Sequence, residues 1–244
     1  MNSMFVFFDL DDTLYSRKEA FFSAVEKYFG ITDFQLKNNL STRCRIRGDE
    51  VFFDCQKGLI TSEQMYEYRF VQGFLDCGIQ IKKEQAFDFQ KVYQKDLYSL
   101  KLSNDVIEIL NFTKTKFEKI GIITNGPKEH QWNKIEKLGL IEWVDKDLII
   151  ISGEHGIDKP DFKIFEIAKE KTFLSCSLQT DMCAVDFNTS IDFIFVGDSF
   201  ENDIIPAHKM GWHSVWLNLY EEKKQVPEFE IKNICELKNI FLNF

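Results

Sequence analysis

The sequence lacks the features of a membrane-spanning, secreted or zinc-stabilised protein. No apolar run approaches the ~18 residues that a spanning helix needs, so we expect no membrane partner. The apolar run from Phe5 to Phe8 has no basic segment before it, unlike a signal peptide. The six cysteines form no Cys-x-x-Cys pair, which argues against a structural zinc site. Because the chain is also too large and apolar to depend on disulfides, we expect a cytoplasmic protein with reduced thiols.

Positive charge is scarce as well. The chain has 30 lysine and arginine residues against 39 acidic residues, which gives a formal net charge of -9. Such a surface repels phosphate backbones, so we expect no nucleic-acid polymer as a partner. A small anionic substrate remains compatible with this charge, because a bound metal can supply a local positive site.

The composition is that of an ordinary globular protein, with 244 residues of which 44% are hydrophobic. This length suffices for one good-sized domain or for a core domain with a smaller appendage. Phenylalanine is unusually frequent, at 25 residues, and we interpret most of these side chains as core. The alternative role for a minority of them is to line an apolar substrate pocket.

Continuous apolar runs that end in polar residues predict the strands of a parallel sheet, buried on both faces. Four such runs are present: Met4–Phe8, Ile120–Ile123, Leu148–Ile151 and Phe193–Val196. A fifth, His213–Leu217, suits an outer strand. Helical spacing lies between them, over Asn104–Phe117, Lys128–Leu138, Asp161–Lys171 and Asn202–Met210. This alternation predicts an α/β fold with a Rossmann-like parallel sheet and right-handed crossovers.

The segment between the first predicted strand and the Asn104 helix shows helical spacing only. Phenylalanines recur on one helical face, as at Phe70 and Phe74. Glycines that include Gly48 and Gly73 are expected to separate its helices. We therefore predict a helical domain that interrupts a discontinuous core, with the helical domain at residues 17–97 and the core at residues 1–16 and 98–244.

The connection from Phe173 to Ile191 is long for a link between a helix and a buried strand, where a few residues would suffice. We interpret it as a surface loop with a local turn of helix. A metal-binding or partner-binding role, for which it offers Asp181 and Asp186, is the alternative.

Two carboxylates, Asp9 and Asp11, follow the first predicted strand with Leu10 between them. Alternate residues of a strand point the same way, so both can face the crevice at the carboxyl ends of the strands. Carboxylates this close repel each other, and a divalent cation between them relieves the repulsion. Carboxylate ligation suits magnesium. The alternative is an acidic turn in which Asp11 or Asp12 caps a helix.

Three further strand ends carry polar residues. Thr124 and the backbone N–H groups before the Lys128 helix could cradle a phosphate, and Gly126 lets the backbone come close. Lys159 offers a fixed positive charge against a phosphoryl group, and Asp198 could complete a metal site. Each has a plainer alternative. The Thr124 segment could be an ordinary strand–turn–helix junction, Lys159 a solvated lysine and Asp198 a helix cap. Their joint occurrence at four strand ends favours one shared site.

Four segments resemble the motifs of the haloacid-dehalogenase-like hydrolases: Asp9–Leu14, Thr124–Gly126, Lys159 and Gly197–Asp203. The resemblance runs from Phe5 to about Asn218, and the predicted helical insertion is similar to the helical cap of that family. Two stretches are further similar to its pyrimidine-nucleotidase-like branch: Thr124–Gly139 and Gly153–Phe165. One small departure is Asp12, which stands where many relatives have glycine.

The resemblance implies a magnesium-dependent phosphatase. Asp9 would attack phosphorus and form an aspartyl-phosphate. Asp11 would protonate the leaving oxygen and then activate the water that hydrolyses the intermediate. Thr124 would hydrogen-bond the transferring phosphoryl group, and Lys159 would neutralise it.

The same resemblance implies a metal site, and the residues themselves offer further candidates for substrate contact. Magnesium would be held by Asp9, the backbone carbonyl of Asp11, and Asp198, with Asp203 as a supporting carboxylate or a ligand through water. The candidate substrate-binding residues are Asn125, Gly126, Tyr15, Arg43 and Arg47. For the two arginines, which belong to a cationic patch of the insertion, solvated surface is the alternative.

We expect the substrate to be a small phosphorylated metabolite, such as a nucleotide or a sugar phosphate, and the protein to be a monomer or homodimer. A sugar phosphomutase would keep the same motifs and is one alternative. A non-catalytic binding module is the other, although the intact acids at Asp9 and Asp11 argue against it. A dehalogenating relative would need neither Asp11 nor a metal.

Overall fold

The computed structural model describes residues 3–177, 191–219, 222–225 and 228–244 of the chain. Backbone contacts divide the chain into two compact units. One, the sheet unit, comprises Met1–Tyr15 and Lys101–Phe244, and the other, the helical unit, comprises Ser16–Leu100. The helical unit lies in sequence where the insertion is predicted.

The sheet unit is built on six parallel strands in the order β3-β2-β1-β4-β5-β6. Their bounds are β1 Ser3–Phe8, β2 Lys119–Thr124, β3 Ile149–Ile151, β4 Ile191–Gly197, β5 His213–Leu217 and β6 Phe229–Ile231. This order places β1 between β2 and β4, so the carboxyl ends of these three strands lie side by side. The predicted parallel α/β sheet is confirmed.

The helices of the sheet unit flank these strands in sequence, and those of the helical unit all fall between β1 and β2. In chain order they are α1 Arg17–Phe29, α2 Phe34–Gln56, α3 Ser62–Leu75, α4 Lys83–Leu97, α5 Asn104–Lys116, α6 Lys128–Lys137, α7 Ser152–His155, α8 Phe162–Ser177, α9 Ile205–Lys209 and α10 Leu237–Phe241. The predicted helices that begin near Asn104 and Lys128 match α5 and α6 within one residue at each end.

The prediction that His213–Leu217 forms an outer strand is wrong. β6 pairs with β5 in parallel, with Val215 opposite Phe229, and so forms the edge of the sheet. The sequence signal for β6 is weak because the strand has only three residues, one of them the exposed Glu230. β5 is buried from Ser214 onward, as expected for a strand with neighbours on both sides.

Two helices differ from their predicted bounds. α8 continues to Ser177, so the long connection to β4 begins later than predicted, and its proposed acidic residues lie outside the described residues. The predicted helix from Asn202 to Met210 is instead a π-helical segment, Phe200–Ile204, followed by α9. The break coincides with Pro206, which has no backbone N–H to donate into a regular helical turn.

Aromatic side chains hold the sheet and its helices together. Trp212 stacks on Phe193 with ring centroids 4.6 Å apart and meets Phe165 of α8 edge-on at 5.5 Å. Phe7 of β1 lies 5.4 Å from the same indole. All four of these side chains are buried, so they act as core, as the composition suggests. This packing fixes the strands whose ends carry the polar motifs.

The helical unit has its own aromatic core, centred on Phe89 of α4. Its ring lies 5.5 Å from Phe21 and 4.8 Å from Phe70. Contrary to prediction, Gly48 and Gly73 lie inside α2 and α3 and do not separate helices. A Cβ at Gly73 would sit 2.8 Å from the Cα of Cys44, so this glycine allows α2 and α3 to pack closely.

No helix within the described residues is long and apolar enough to cross a membrane. The cysteines in the described ranges form no disulfide: Cys44, Cys55, Cys77, Cys176 and Cys235. Cys183 lies outside those ranges.

Candidate active site

Asp9 stands at the carboxyl end of β1, at the centre of the sheet. Its backbone N–H donates to Val196 O at 2.9 Å, which extends the β1–β4 pairing one residue beyond the strand. Its side chain is only 9% exposed and lies within reach of Lys159. The fold therefore holds this carboxylate in a fixed, largely dehydrated position.

Lys159 connects two buried carboxylates. Its ammonium lies 2.7 Å from Asp9 Oδ1 and 2.6 Å from Asp203 Oδ1, and its side chain is 3% exposed. The loop that carries it is fixed by Asn125, whose side chain accepts from the Lys159 N–H at 2.8 Å and donates to its carbonyl at 2.9 Å. Asn125 is predicted to bind substrate. In the structure its side chain holds the loop that carries Lys159.

Three carboxylates converge beside this lysine. Asp9, Asp198 and Asp203 each offer an oxygen, and these oxygens lie within 4.8 Å of one another. Asp203 is held by Lys159 and by the Ser199 N–H, which donates to its Oδ2 at 3.0 Å. Gly197 makes room for it, because a Cβ there would lie 2.6 Å from Asp203 Cγ. This set contains only oxygen donors, which fits a hard divalent cation such as magnesium.

The charges of this cluster do not balance. Burial raises the pKa of Asp9 to about 7; attraction to Lys159 opposes that rise, and repulsion from Asp203 and Asp11 adds to it. Burial alone would lower the pKa of Lys159, but Asp203 and Asp9 outweigh it and hold that pKa above its usual value. One ammonium therefore faces more than one carboxylate, and a divalent cation would restore neutrality.

Asp11 is held by a different set of side chains from the three converging carboxylates. Lys134 of α6 contacts both of its oxygens, at 2.8 and 2.9 Å, and Gln131 donates to Oδ2 at 3.0 Å. The Tyr15 hydroxyl donates to Oδ1. Tyr15, predicted to contact substrate, is thus a partner of Asp11 here. These three side chains thus surround the carboxyl group of Asp11 with hydrogen-bond donors.

Thr124 and Gly126 occupy the end of β2, where a phosphate cradle is predicted. Thr124 is 1% exposed, and its Oγ1 lies 2.6 Å from Gln131 Nε2. The Gly126 N–H donates to Ser152 Oγ at 2.9 Å, so this N–H is already satisfied within the protein. Thr124 therefore lies where the phosphate cradle is predicted. The Gly126 N–H, by contrast, already donates to a protein acceptor and not to open space.

Comparison with known proteins decides the family. The family model of the haloacid dehalogenase-like hydrolases, described as hydrolases, matches residues 4–211. The chain belongs to the haloacid dehalogenase-like hydrolases. This assignment confirms the resemblance inferred from the four motifs.

Relatives and solved structures agree over nearly the whole chain. The chain is 26% identical over 249 residues to pyrimidine 5'-nucleotidase YjjG of Escherichia coli (strain K12), with 96% of each protein covered. It is 24% identical over 253 residues to the glyceraldehyde 3-phosphate phosphatase of Methanocaldococcus jannaschii, covering 98% of this chain and 96% of that protein. The HAD-hydrolase YfnB from Bacillus subtilis, solved bound to magnesium, shares the fold with a TM-score of 0.67 at 18% identity and 99% coverage of both chains.

In this hydrolase Asp12 occupies a position that strains most residue types. Its φ of 62° lies in the left-handed region that favours glycine. Aspartate tolerates this region better than most side chains. The departure from the glycine of many relatives therefore leaves the turn after β1 intact.

Two polar residues of the site were not predicted from sequence: Gln131 and Lys134. The α6 pattern predicts Trp132, Ile135 and Leu138 as the inward face. The structure buries Ile135 and Leu138 as predicted and also buries Gln131 and Lys134, while Trp132 is half-buried and donates to Glu154. Counted from Gln131, the helical spacing i, i+3, i+4 and i+7 would have placed both Gln131 and Lys134 on the buried face of α6.

Two arginines of the helical unit are predicted to clamp an anionic group of the substrate. Arg47 is engaged within that unit, at 2.8 and 2.9 Å from Asp76 and at 3.1 Å from Glu50. Arg43 is exposed. The Arg47 guanidinium therefore already has two carboxylate partners. A role of Arg43 or Arg47 in substrate binding stays a prediction.

Replacing Asp9 by asparagine is expected to stabilise this hydrolase when metal is removed by a chelator. Without metal, burial raises the pKa of Asp9 to about 7 in the folded protein, whereas the unfolded chain has the ordinary value of 3.8. The wild-type protein therefore loses stability as pH rises between these values, and Asp9→Asn avoids that loss. The advantage should be at most about 4 kcal/mol.

Urea unfolding in chelator at several pH values measures this advantage. It should be small near the pKa of the unfolded chain, grow with pH and level off above about pH 7. An advantage that shrinks as pH rises would contradict the unfavourable charge balance inferred for the cluster.

Proposed function

We propose that this hydrolase is a magnesium-dependent phosphatase that transfers the phosphoryl group of a small phosphorylated metabolite to Asp9 and then to water. The observation that carries the proposal is the buried Asp9 carboxylate, fixed by Lys159 and joined by two further carboxylates at the carboxyl end of the central strand. The similar proteins from E. coli and M. jannaschii are a nucleotidase and a phosphatase, which supports phosphate esters as substrates.

In the first half of the reaction, an oxygen of Asp9 attacks phosphorus in line with the leaving oxygen. The new P–O bond forms as the bond to the leaving oxygen breaks, and Asp11 gives that oxygen its proton. Thr124 hydrogen-bonds the transferring group and Lys159 neutralises part of its charge. The products of this half are an alcohol and an aspartyl-phosphate.

In the second half, water attacks the phosphorus of the aspartyl-phosphate. Asp11, now a carboxylate, takes a proton from the water, the P–O bond to Asp9 breaks, and inorganic phosphate and both original carboxyl groups are restored. A magnesium ion held by Asp9, Asp198 and the Asp11 carbonyl, with Asp203 as a supporting carboxylate or a ligand through water, would offset the negative charge on the phosphoryl oxygens.

We further propose that the helical unit acts as a cap that selects the substrate and excludes water. Support comes from its place in the chain, directly after the strand that carries Asp9, and from the family to which the chain belongs. The substrate class proposed is a nucleotide or a sugar phosphate, in keeping with the similar proteins named above.

A hydrolysis assay with and without magnesium tests the proposed function. The substrates are para-nitrophenyl phosphate, pyrimidine nucleoside monophosphates and phosphorylated sugars, each with magnesium or with a chelator. We expect phosphate release that falls at least ~10²-fold in chelator, because a metal supplies several kcal/mol of charge stabilisation. Adding magnesium back should restore the rate.

Three outcomes would contradict the proposal. A rate of hydrolysis that is the same in chelator as in magnesium would show that the reaction does not need the metal. Interconversion of sugar phosphates with little inorganic phosphate would indicate a phosphomutase. Binding of phosphate esters without turnover would indicate a binding module.

A further inference from the structure

Two buried side chains of α6 connect the Asp11 carboxyl to the end of β2. Lys134 contacts both Asp11 oxygens, at 2.8 and 2.9 Å. Gln131, one turn earlier, places its Nε2 3.0 Å from Asp11 Oδ2, 2.6 Å from Thr124 Oγ1 and 2.7 Å from Asn125 O. A single helical turn therefore bonds to both the proposed acid and the proposed phosphate-binding threonine.

The burial of this pair makes a purely stabilising role a poor explanation. The Lys134 side chain is 5% exposed and that of Asp11 is 13% exposed. The free energy lost by removing both charges from water offsets much of the free energy gained from their attraction. Apolar residues of similar volume often stabilise a protein equally well. What the ion pair adds is geometry, because an ammonium bonded to both oxygens fixes the plane of the carboxyl group.

That geometry matters for proton transfer. An acid must present its proton within hydrogen-bond distance of the leaving oxygen at the moment when the P–O bond breaks. Asp11 follows a strand and is part of an irregular turn, so its own backbone leaves the side chain able to rotate. The contacts from α6 and from Tyr15 restrict that rotation.

We propose that Lys134 is a positioning residue for the proton-transferring Asp11, an inference that rests on the phosphatase function proposed above. Lys134 keeps its protons throughout. The proton is carried by Asp11 Oδ2, which the Gln131 amide can release because its two hydrogens also have Thr124 Oγ1 and Asn125 O as acceptors, at 2.6 and 2.7 Å. It passes to the leaving oxygen as the bond between that oxygen and phosphorus breaks, and Lys134 holds the carboxyl group in the orientation that this transfer needs.

Leaving groups of different basicity separate this role from a structural one. An alkoxide needs a proton to leave, whereas dinitrophenolate does not. The experiment compares kcat/KM for the alkyl phosphate that the wild type hydrolyses best with kcat/KM for dinitrophenyl phosphate. Because kcat/KM covers steps only up to the first irreversible one, it isolates the attack by Asp9 from the later hydrolysis of the aspartyl-phosphate.

Lys134→Met is expected to lower kcat/KM for the alkyl phosphate by roughly 30-fold. This loss is smaller than the rate enhancement that a general acid provides, because Asp11 itself remains. For dinitrophenyl phosphate the loss should stay within about threefold, since no proton is needed. Dinitrophenolate release should also show a burst of up to one equivalent, because Asp11 is still required to activate water. Lys137→Met, an exposed lysine of the same helix, is the matched control and should behave as wild type.

Equal losses for both substrates, or no loss for either, would overturn the inference. Should Lys134→Met fail to fold, Lys134→Arg allows the same comparison, because it keeps the charge but alters the contact with both Asp11 oxygens. Failure of both variants to fold would assign Lys134 to stability and would also overturn the inference. Absence of hydrolysis by the wild type would instead count against the proposed function.

Discussion

Asp9→Asn is expected to lower phosphate-ester hydrolysis at least ~10⁴-fold, because an amide cannot serve as the phosphoryl acceptor. The substitution keeps the shape of the side chain. It also leaves Lys159 paired with Asp203 at 2.6 Å, so the site should otherwise stay assembled. Steady-state rates with magnesium and para-nitrophenyl phosphate measure the loss. The stabilisation expected for the same variant in chelator separates lost chemistry from lost folding.

Asp12→Asn provides the matched control for this substitution. It makes the same chemical change three residues along the chain, and asparagine tolerates the left-handed φ of 62° found there. We expect it to keep activity within about tenfold of wild type, since Asp12 has no part in the proposed chemistry. Equal losses in both variants, or more than a few per cent of activity in Asp9→Asn, would contradict the assignment of Asp9 as nucleophile.

Lys159→Met is expected to reduce both activity and stability. Without the ammonium, Asp9 and Asp203 remain buried with no cation between them, which should destabilise the metal-free protein by about 3–5 kcal/mol. The rate should fall roughly 10²–10³-fold, because the transferring phosphoryl group loses a fixed positive charge. Urea unfolding in chelator and steady-state kinetics with magnesium measure the two effects separately.

Magnesium should recover part of the stability that Lys159→Met loses, because a cation that binds only the folded state stabilises it. Lys163→Met, an exposed lysine at the start of α8, is the control and should change stability by less than about 0.5 kcal/mol. Wild-type stability of Lys159→Met in chelator would contradict the account of the charge cluster. Asp9→Asn and Lys159→Met should therefore shift metal-free stability in opposite directions.

The position of the site could be predicted from sequence because a parallel sheet obeys simple rules. The apolar runs that end at Phe8, Ile123 and Val196 are long enough to identify buried strands, and the carboxyl ends of parallel strands meet at one edge. Polar residues that follow those runs must then lie close together. The structure brings carboxylate oxygens of Asp9, after β1, and Asp198, after β4, within 4.8 Å of each other.

The pairing of side chains within the site could not be predicted in the same way. A lysine such as Lys134 is normally read as solvent-exposed, and only its partner Asp11, 123 residues away, explains its burial. The sequence likewise does not show that Lys159 is shared between two carboxylates. Contacts of this kind depend on the tertiary fold rather than on local spacing.

Short or irregular elements were also beyond sequence reasoning. β6 has three residues, too few for a periodic signal, yet it converts the predicted outer strand β5 into an interior one. In the helical unit, Gly73 looks like a helix break in sequence. The close approach of Cys44 explains why it lies inside α3.

The central claim, that Asp9 accepts the phosphoryl group, is tested most directly by trapping the intermediate. Asp11→Asn should form the aspartyl-phosphate from para-nitrophenyl phosphate but hydrolyse it slowly. Acid quenching followed by borohydride reduction converts a phosphorylated aspartate to homoserine, and mass spectrometry locates it. We predict homoserine at position 9. Turnover with an unmodified Asp9, or homoserine at any other position, would contradict the account.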